Sequence, residues 1–552
     1  MTAPVVIRFL GGLGEVGRNC TCVEVDGKLL LIDFGLMFPD ATMPGVDVIL
    51  PDTSWLKSRA DDVLGLVITH AHEDHVGGVA YFLREFEAPI YGSSLAMAIA
   101  NSKIEWDRLS HRTSLHVLAD NQRLKIGPFD IEVIPITHSV PQSFCVLLHT
   151  SQGVIVHTGD FKLDATPVDN RLTNTDRLRE LASGPGVRLL MADSTNADSP
   201  GHSESESSIG RTFERIFPTY SGKRMIIGCF ASHLHRVQQI VDVAISEGRK
   251  IFPLGRSMVN NVRIAQQLGI LNLSSKDVYS IEDIDQFEPG EICIVCTGSQ
   301  GEPNAALSLL ASNNHRDLRV TSEDVVILSS HPIPGNERAV YRIIDRLTRM
   351  GCEVVHDGHE LVHTTGHAKR EELSVLQSIV KPEWFVPIEG EFRMLQRHAD
   401  LAIEAGMSED RVIVVTDGAE LTIDEAGVSV TGGIPAPYRF IDGLVDDVSY
   451  GVLEQRRSLS QSGFVHVSVV VSEKRTLVSR PEIATKGWID QTKSVDILAS
   501  LEVEVTEALE RALDSGVALK DLERLLRRTT GRFVGDHTRR RPPILSTVFI
   551  ID

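Results

Sequence analysis

No apolar run in this sequence reaches the ~18 residues that a membrane-crossing helix needs, and its start, MTAPVVIRFL, passes at once into a strand-like segment. A secretory leader is therefore not expected, and the cytoplasm is the expected compartment. Basic residues are outnumbered: 55 Lys and Arg face 75 Asp and Glu, a formal charge of −20. That balance excludes a simple basic nucleic-acid binder, whose footprint is a high pI. It leaves room for a nuclease, because divalent cations and a local basic groove can draw phosphate into an acidic molecule. Cysteine is sparse and odd in number, seven in 552 residues. Cys293 and Cys296 form a C-x-x-C without the second pair that a four-cysteine zinc site would need. They lie in EICIVCTG, which reads as a buried strand, so reduced thiols are expected. Internal repeats and low-complexity tracts are absent. What remains is an ordinary globular composition, 42% hydrophobic and 24% charged, with length for roughly three domains of ~150 residues.

The first part alternates strand-like runs with turns: VVIRFL, then CTCVEVDGKLLLID with Asp26-Gly27 as a hairpin turn, then LGLVITH, IEVIPITH, CVLLHT, GVIVHTGD and VRLLMADST. Most of these runs end on a residue able to do chemistry (Asp33, His70, His138, Asp160, Asp193), as in a sheet whose strand ends converge on one site. From Glu204 helical runs alternate with short apolar strands, the α/β grammar of a domain with a mostly parallel sheet. The earlier style resumes at GHELVHTTGHAKREEL and continues through WFVPIEGEF and RVIVVTDG. The expected division is a first domain over 1–203, an inserted α/β domain over 204–355, a return to the first over 356–430, a linker over 431–450 containing TGGIPAPYRFIDG, and a small α+β domain over 451–552.

Gly12-Leu13-Gly14-Glu15-Val16-Gly17 matches G-x-G-x-x-G after a strand, but RNCTCVEV follows it and alternates like a second strand. A dinucleotide fingerprint needs a helix there, so nicotinamide chemistry is excluded; the glycines are expected to form a tight turn near the site.

His70-Ala71-His72-Glu73-Asp74-His75 is the strongest signal. Three imidazoles and an Asp directly after an apolar strand suit a metal centre, with the carboxylate adding hard oxygen character for a hydrolytic ion. H-x-H-x-D-H resembles the signature of metallo-β-lactamase-like binuclear hydrolases. That resemblance implies that His138 completes the first metal, that Asp160 bridges both ions, and that Asp33 orients the ligand loop from behind. Alone, a His or Asp at a strand end is more often a local hydrogen-bond partner; here the order after the motif favours ligands.

Asp193-Ser194-Thr195, His363-Thr364-Thr365-Gly366-His367-Ala368 and PIEGEFRML, together with CFASHLHRVQQI, GRSMVNN, TGSQGEP and SSHPIPGNE, closely resemble the ribonuclease J family of β-CASP nucleases over essentially the whole chain. The implied fold is α/β: a metallo-β-lactamase αββα sandwich, an inserted α/β β-CASP domain and a small C-terminal α+β domain. The resemblance implies that His70, His72 and His138 hold one divalent ion and Asp74 and His75 a second, with Asp160 between them. Asp193 and His367 would be the acid/base pair. His363, Thr364, Thr365, Gly366 and His367 would contact a phosphate, the family's usual Ser being replaced by Thr365 with its hydroxyl kept. Ser232, His235, Arg256 and Ser257 are weaker candidates for lining an RNA channel, a structural role being at least as common for such residues. Glu389 stands where RNA-cutting relatives carry a His as the seventh ligand, and a carboxylate there favours harder ions, Mn²⁺ or Mg²⁺ over Zn²⁺. The implied activity is cutting of single-stranded RNA, 5′→3′ with a 5′-monophosphate preferred and also endonucleolytically, in RNA maturation and decay. A homodimer or homotetramer through the C-terminal domain and no membrane partner are expected. Rival readings are a DNA-processing β-CASP enzyme and a weakly active RNA-binding paralogue. Arg539-Arg540-Arg541 could touch RNA, although a solvated charge run is the commoner case.

Overall fold

A computed structural model describes residues 3–552 apart from 41, 334, 444, 447, 491 and 493. The chain forms two units, one of residues 1–38 and 49–438, the other of 39–48 and 439–552.

The first unit contains a sandwich of two sheets. One has eight strands, in the order Gly427–Gly433, Ala419–Asp424, Val5–Gly11, Cys20–Val25, Lys28–Ile32, Val63–Val67, Ile90–Gly92, Leu115–Val117. The other has six: Trp384–Ile388, Val187–Asp193, Gly153–His157, Phe144–Thr150, Phe129–Pro135, Arg123–Ile126. Alternation along each strand decides what lies between them. Val5, Ile7, Phe9, Val23, Leu30 and Ile32 meet Ile131, Val133, Val146, Ile155, Leu189 and Val386 in one core. The opposite faces are also buried: Cys22, Leu29 and Leu31 pack under the helices Val79–Glu85 and Ser94–Trp106, and Leu147, Val156 and Leu190 under Thr175–Ser183, Arg370–Val380 and Phe392–Glu404. Burial on both faces explains near-continuous apolar strands such as LLLI. The turn Asp26-Gly27 has φ of 50° and 74°, as a two-residue hairpin of the primed type requires.

Between Asp193 and His363 the chain builds a five-stranded parallel sheet in the order Lys250–Leu254, Ile292–Cys296, Met225–Gly228, Val325–Leu328, Glu353–His356. Helices Ser207–Ile216, Leu234–Ser246 and Arg256–Gln267 cover one face, Ala306–Ala311 and Glu337–Arg349 the other. All seven cysteines are buried and unpaired.

Two local expectations are corrected. RVIVVTDG does not form a strand: it makes a single bridge, Val412 to Phe385, because here the chain leaves the edge of the six-stranded sheet to enter the other at Ala419. The segment 431–450, expected as a linker, includes the strand Arg439–Asp442, whose Ile441 carbonyl accepts the Asp47 N–H at 2.8 Å. That pairing draws 39–48 into the second unit. There, the sheet Glu482–Lys486, Phe464–Ser472, Ile544–Ile551 packs Val465, Val467, Val469 and Val471 against helices Val495–Asp514 and Leu522–Thr538. No helix among the described residues is long and apolar enough to cross a membrane.

A buried ion pair fixes the return of the chain from the inserted domain. Arg236, fully buried, donates to both Glu206 oxygens at 2.6 and 2.9 Å, to Ser329, and to the Val362 carbonyl at 2.8 Å, one residue before His363. Replacing Arg236 by Met strands the Glu206 carboxylate in the interior, and a loss of about 3–5 kcal/mol is expected from urea unfolding at unchanged slope. The double variant Arg236→Met/Glu206→Gln should lose less than Arg236→Met alone; a neutral single variant would remove the pair's structural importance.

Candidate metal centre

The H-x-H-x-D-H residues follow Val63–Val67, Asp33 follows Lys28–Ile32, Asp160 follows Gly153–His157, Asp193 ends Val187–Asp193, and Glu389 follows Trp384–Ile388. Within each sheet these strands run parallel, so their C-terminal ends share an edge. His138 arrives from the antiparallel Phe129–Pro135 strand.

Hydrogen bonds leave the imidazoles with lone pairs facing one space. His138 Nδ1 donates to the Gly366 carbonyl at 2.7 Å, which turns Nε2 toward His72. His75 Nδ1 donates to Asp33 Oδ2 at 2.8 Å, so its Nε2 faces Asp160. Asp33 also accepts the Thr69 N–H and hydroxyl at 2.8 Å each, and Thr69 Oγ1 stands 3.0 Å from His70 Nδ1. In that arrangement His72 Nδ1 lies 3.1 Å from both His70 Nε2 and His138 Nε2. Donors bonded to one ion at about 2.1 Å sit roughly 3.0–3.4 Å apart, so the spacing suits a shared cation.

Among the described residues, three groups of side chains could hold an ion: His70, His72, His138 and Asp160; Asp74, His75 and Asp160; and Asp160, Asp193 and His367. Asp160 belongs to all three. Its Oδ2 is 3.5 and 3.6 Å from the Nε2 atoms of His70 and His138, while Oδ1 is 3.2 Å from His75 Nε2. Burial depresses the imidazoles of His70, His72 (to about 3) and His138, which are therefore neutral and ready to ligate. Burial opposes ionisation of Asp160, yet the facing imidazoles of His75, His367 and His70 outweigh it and hold its carboxyl well below the usual range.

Glu389 belongs to none of these three groups. It is buried with φ of 56°, and its Oε2 has no hydrogen-bond partner. Burial and the neighbouring Asp160 carboxylate, to which it is hydrogen-bonded, push its carboxyl well above the normal range. Two buried carboxyls side by side, one with an unpartnered oxygen among the described residues, are a donor set that fits a divalent metal.

His367, about a quarter exposed, donates from Nδ1 to Asp193 Oδ2 at 2.8 Å, and its Nε2 lies 3.9 Å from Asp160. Asp193 also accepts the N–H groups of Phe161 (3.3 Å) and Thr195 (2.9 Å). The HTTGHA turn is pinned from below. Asn196 Nδ2 donates to Thr365 Oγ1 and the His367 carbonyl, and Thr364 donates to the Glu204 carbonyl. Gly366 approaches so closely that a Cβ would stand 2.7 Å from His138 Cε1. His363 is half-buried, its Nδ1 unpartnered and its ring 6.5 Å from the His331 ring. The weaker RNA-channel candidates are not drawn into the donor groups. His235 is buried with Nε2 3.2 Å from Asp169, Ser232 is half-buried, and Arg256 and Ser257 are exposed where their helix begins. Residues absent from the sequence reading also belong here: Asn19, with Nδ2 2.9 Å from His75 Nε2, the hydroxyls of Thr69 and Ser139, and Asn196. None is a common metal ligand, and only their strand-end positions could have marked them.

Burial alone would depress the His367 imidazole, but Asp193 and Asp160 lift it to about 9. The folded value lies above the unfolded ~6.5, so the resulting stabilisation is complete below ~6.5 and is lost as pH rises through about 9. In metal-free protein, NMR titration of the His367 ring should report that raised value, and Asp193→Asn should lower it. The stability difference between the two proteins should narrow from pH 7 to 10. An Asn variant titrating like the parent would break the pairing.

Comparison with known proteins covers nearly the whole chain. Residues 13–208 match the metallo-beta-lactamase superfamily, 222–347 the family described as Ribonuclease J, beta-CASP domain, 352–415 the Zn-dependent metallo-hydrolase RNA specificity domain, and 451–551 the Ribonuclease J C-terminal domain. Ribonuclease J of Mycolicibacterium smegmatis is 38% identical over 548 residues, 99% of this chain and 97% of that protein. Ribonuclease J of Mycobacterium tuberculosis is 37% identical over 551 residues, 98% and 96% of the two. A crystal structure of a protein of unknown function from Enterococcus faecalis V583 shares the fold at 14% identity, with a TM-score of 0.53 over 76% of this chain and 100% of that one.

Proposed function

The chain belongs to the ribonuclease J family, and from that premise we propose that it is a metal-dependent ribonuclease hydrolysing single-stranded RNA. It works 5′→3′ from a 5′-monophosphate and also endonucleolytically, in RNA maturation and decay. The observation that carries this reading is the pair of donor groups sharing Asp160, with His367 and Asp193 at their margin. The match to an RNA specificity domain over 352–415, which contains HTTGHA and Glu389, favours RNA over DNA.

In this reading His70, His72 and His138 hold one divalent ion and Asp74, His75 and Glu389 the other, with Asp160 between. Two bound ions, Zn²⁺, Mn²⁺ or Mg²⁺, would supply Lewis-acid activation of water and charge stabilisation at both oxygens of an in-line displacement. Asp33 keeps the His75 Nε2 lone pair inward. Asp193, already accepting from Phe161, Thr195 and His367, orients the ring, and His367 delivers its Nε2 proton to the leaving oxygen. His363, Thr364, Thr365 and Gly366 hold the phosphate. Ser232, Arg256 and Ser257 are the weaker candidates for lining the path of the RNA, and His235 is buried against Asp169. The domain boundaries stated from the sequence, a homodimer or homotetramer through the C-terminal domain, and a cytoplasmic location belong to the same reading.

Purified protein should be given matched single-stranded RNA and DNA, each with and without a 5′-monophosphate, across Zn²⁺, Mn²⁺ and Mg²⁺. RNA carrying the monophosphate should be cut fastest. His367→Ala should lower turnover by roughly 10²–10⁴ with metal content kept, and Asp74→Ala/His75→Ala should abolish it. Preferred cutting of DNA, or RNA binding without turnover under any ion, would replace this function by one of its rivals.

Glu389 sets a second expectation. Glu389→His exchanges a carboxylate for an imidazole and should move the metal optimum toward Zn²⁺, and Glu389→Ala should weaken one ion selectively. Unchanged stoichiometry and ion preference in both variants would leave a six-ligand centre without Glu389.

A further inference from the structure

Asn19 is the residue at the centre whose chemistry is unused. It ends the glycine-rich loop, is 6% exposed, and places its amide Nδ2 2.9 Å from His75 Nε2. Its Oδ1 is buried without any hydrogen-bond partner, a costly state for an amide oxygen. The two ends of an amide exchange by a half-turn with no change of shape, and the hydrogen-bond network decides between them. His75 Nε2 is the atom that also faces Asp160 Oδ1 at 3.2 Å and Asp74 Oδ2 at 3.7 Å. An amide oxygen placed 2.9 Å from that nitrogen would have the spacing of neighbouring donors on one ion.

The glycine-rich loop is shaped around this side chain. Gly12, at φ 95°, leaves room that a Cβ would close, standing 2.3 Å from Asn19 Oδ1. The Asn19 N–H donates to the Asp74 carbonyl and its own carbonyl accepts from Gly35, so the backbone is tied to the loop that carries Asp74 and His75. The neighbouring Arg18 is buried in a pair of salt bridges with Glu15 and Asp417, both at 2.7 Å, which locks the turn.

We propose that Asn19 binds the second ion directly through its amide oxygen, completing the donor group of Asp74, His75 and Asp160. This rests on the binuclear reading of the centre. An added neutral oxygen, with no added charge, suits hard ions such as Mn²⁺ better than a second nitrogen would, and it gives the G-x-G-x-x-G loop a purpose other than nucleotide binding.

The test uses full-length protein stripped by chelator and dialysed against Mn²⁺, with metal per chain and affinity measured for the parent, Asn19→Ala and Asn19→Asp. The parent should hold two ions. Asn19→Ala should keep one ion at parental affinity and bind the other about 10–100-fold more weakly, while Asn19→Asp, which retains an oxygen donor, should hold two. Thermal unfolding of the metal-free proteins checks the fold, which the backbone bonds of Asn19 should preserve. Two ions at parental affinity in Asn19→Ala would overturn the assignment. So would an Asn19→Asp protein that fails like Asn19→Ala, because the amide N–H would then be the working group. A parent binding one ion would instead remove the binuclear reading, and the assignment with it.

Discussion

Ligand-type nitrogens and oxygens converge at Asp160, and the strand ends of the first unit bring them together. Imidazole nitrogens of His70, His72, His75 and His138 and several carboxylate oxygens face one buried space. Buried groups of this kind repel unless a cation lies among them. Each is held by a bond on its far side: Asp33 on His75, the Gly366 carbonyl on His138, Thr69 beside His70. The sandwich core supplies the rigidity that keeps such an arrangement from relaxing, because both faces of both sheets are packed.

The same constraint explains why the chain must return after its insertion. His138 lacks a proton acceptor for Nδ1 until the segment after Val362 arrives with the Gly366 carbonyl. That segment is fixed by Arg236, which reaches out of the inserted domain to the Val362 carbonyl while neutralising Glu206. The inserted domain is therefore a structural partner of the centre, and its return brings His367 to Asp193 and Asp160. A sandwich without this return would carry the histidine motif and lack the proton-bearing ring beside it.

Much of this was legible in the sequence because two signals are local. Strands ending on polar residues announced Asp33, His70, His138, Asp160 and Asp193, and the change from alternating to helical periodicity announced the insertion. The unread parts are those set by contacts distant in sequence. RVIVVTDG has the composition of a strand, but its place at a crossover between sheets gives it one bridge. The 39–48 segment pairs with a strand some 400 residues away, through Asp47 and Ile441, a partnership no local pattern encodes. Asn19 was hidden for a different reason: its residue type is at home in any turn, and only the fold brings its amide to 2.9 Å from His75 Nε2.

Glu389 shows how a departure from the usual residue can be absorbed. A His at this position would add another neutral donor, whereas the carboxyl must either ionise beside Asp160 or keep its proton. Its Oε2 is unpartnered among the described residues, and in the proposed centre an ionised carboxylate would balance the ion with a second negative charge. As a ligand of the proposed centre, Glu389 would tie ion occupancy to proton release more strongly than an imidazole would. Glu389 adopts a left-handed backbone, and Gly390 follows at φ 126°. The same turn is bridged by Leu13, Gly14 and Glu15 of the glycine-rich loop. The glycine-rich loop and the Glu389 turn are thus joined, and the Asn19 N–H ties the former to the Asp74 carbonyl.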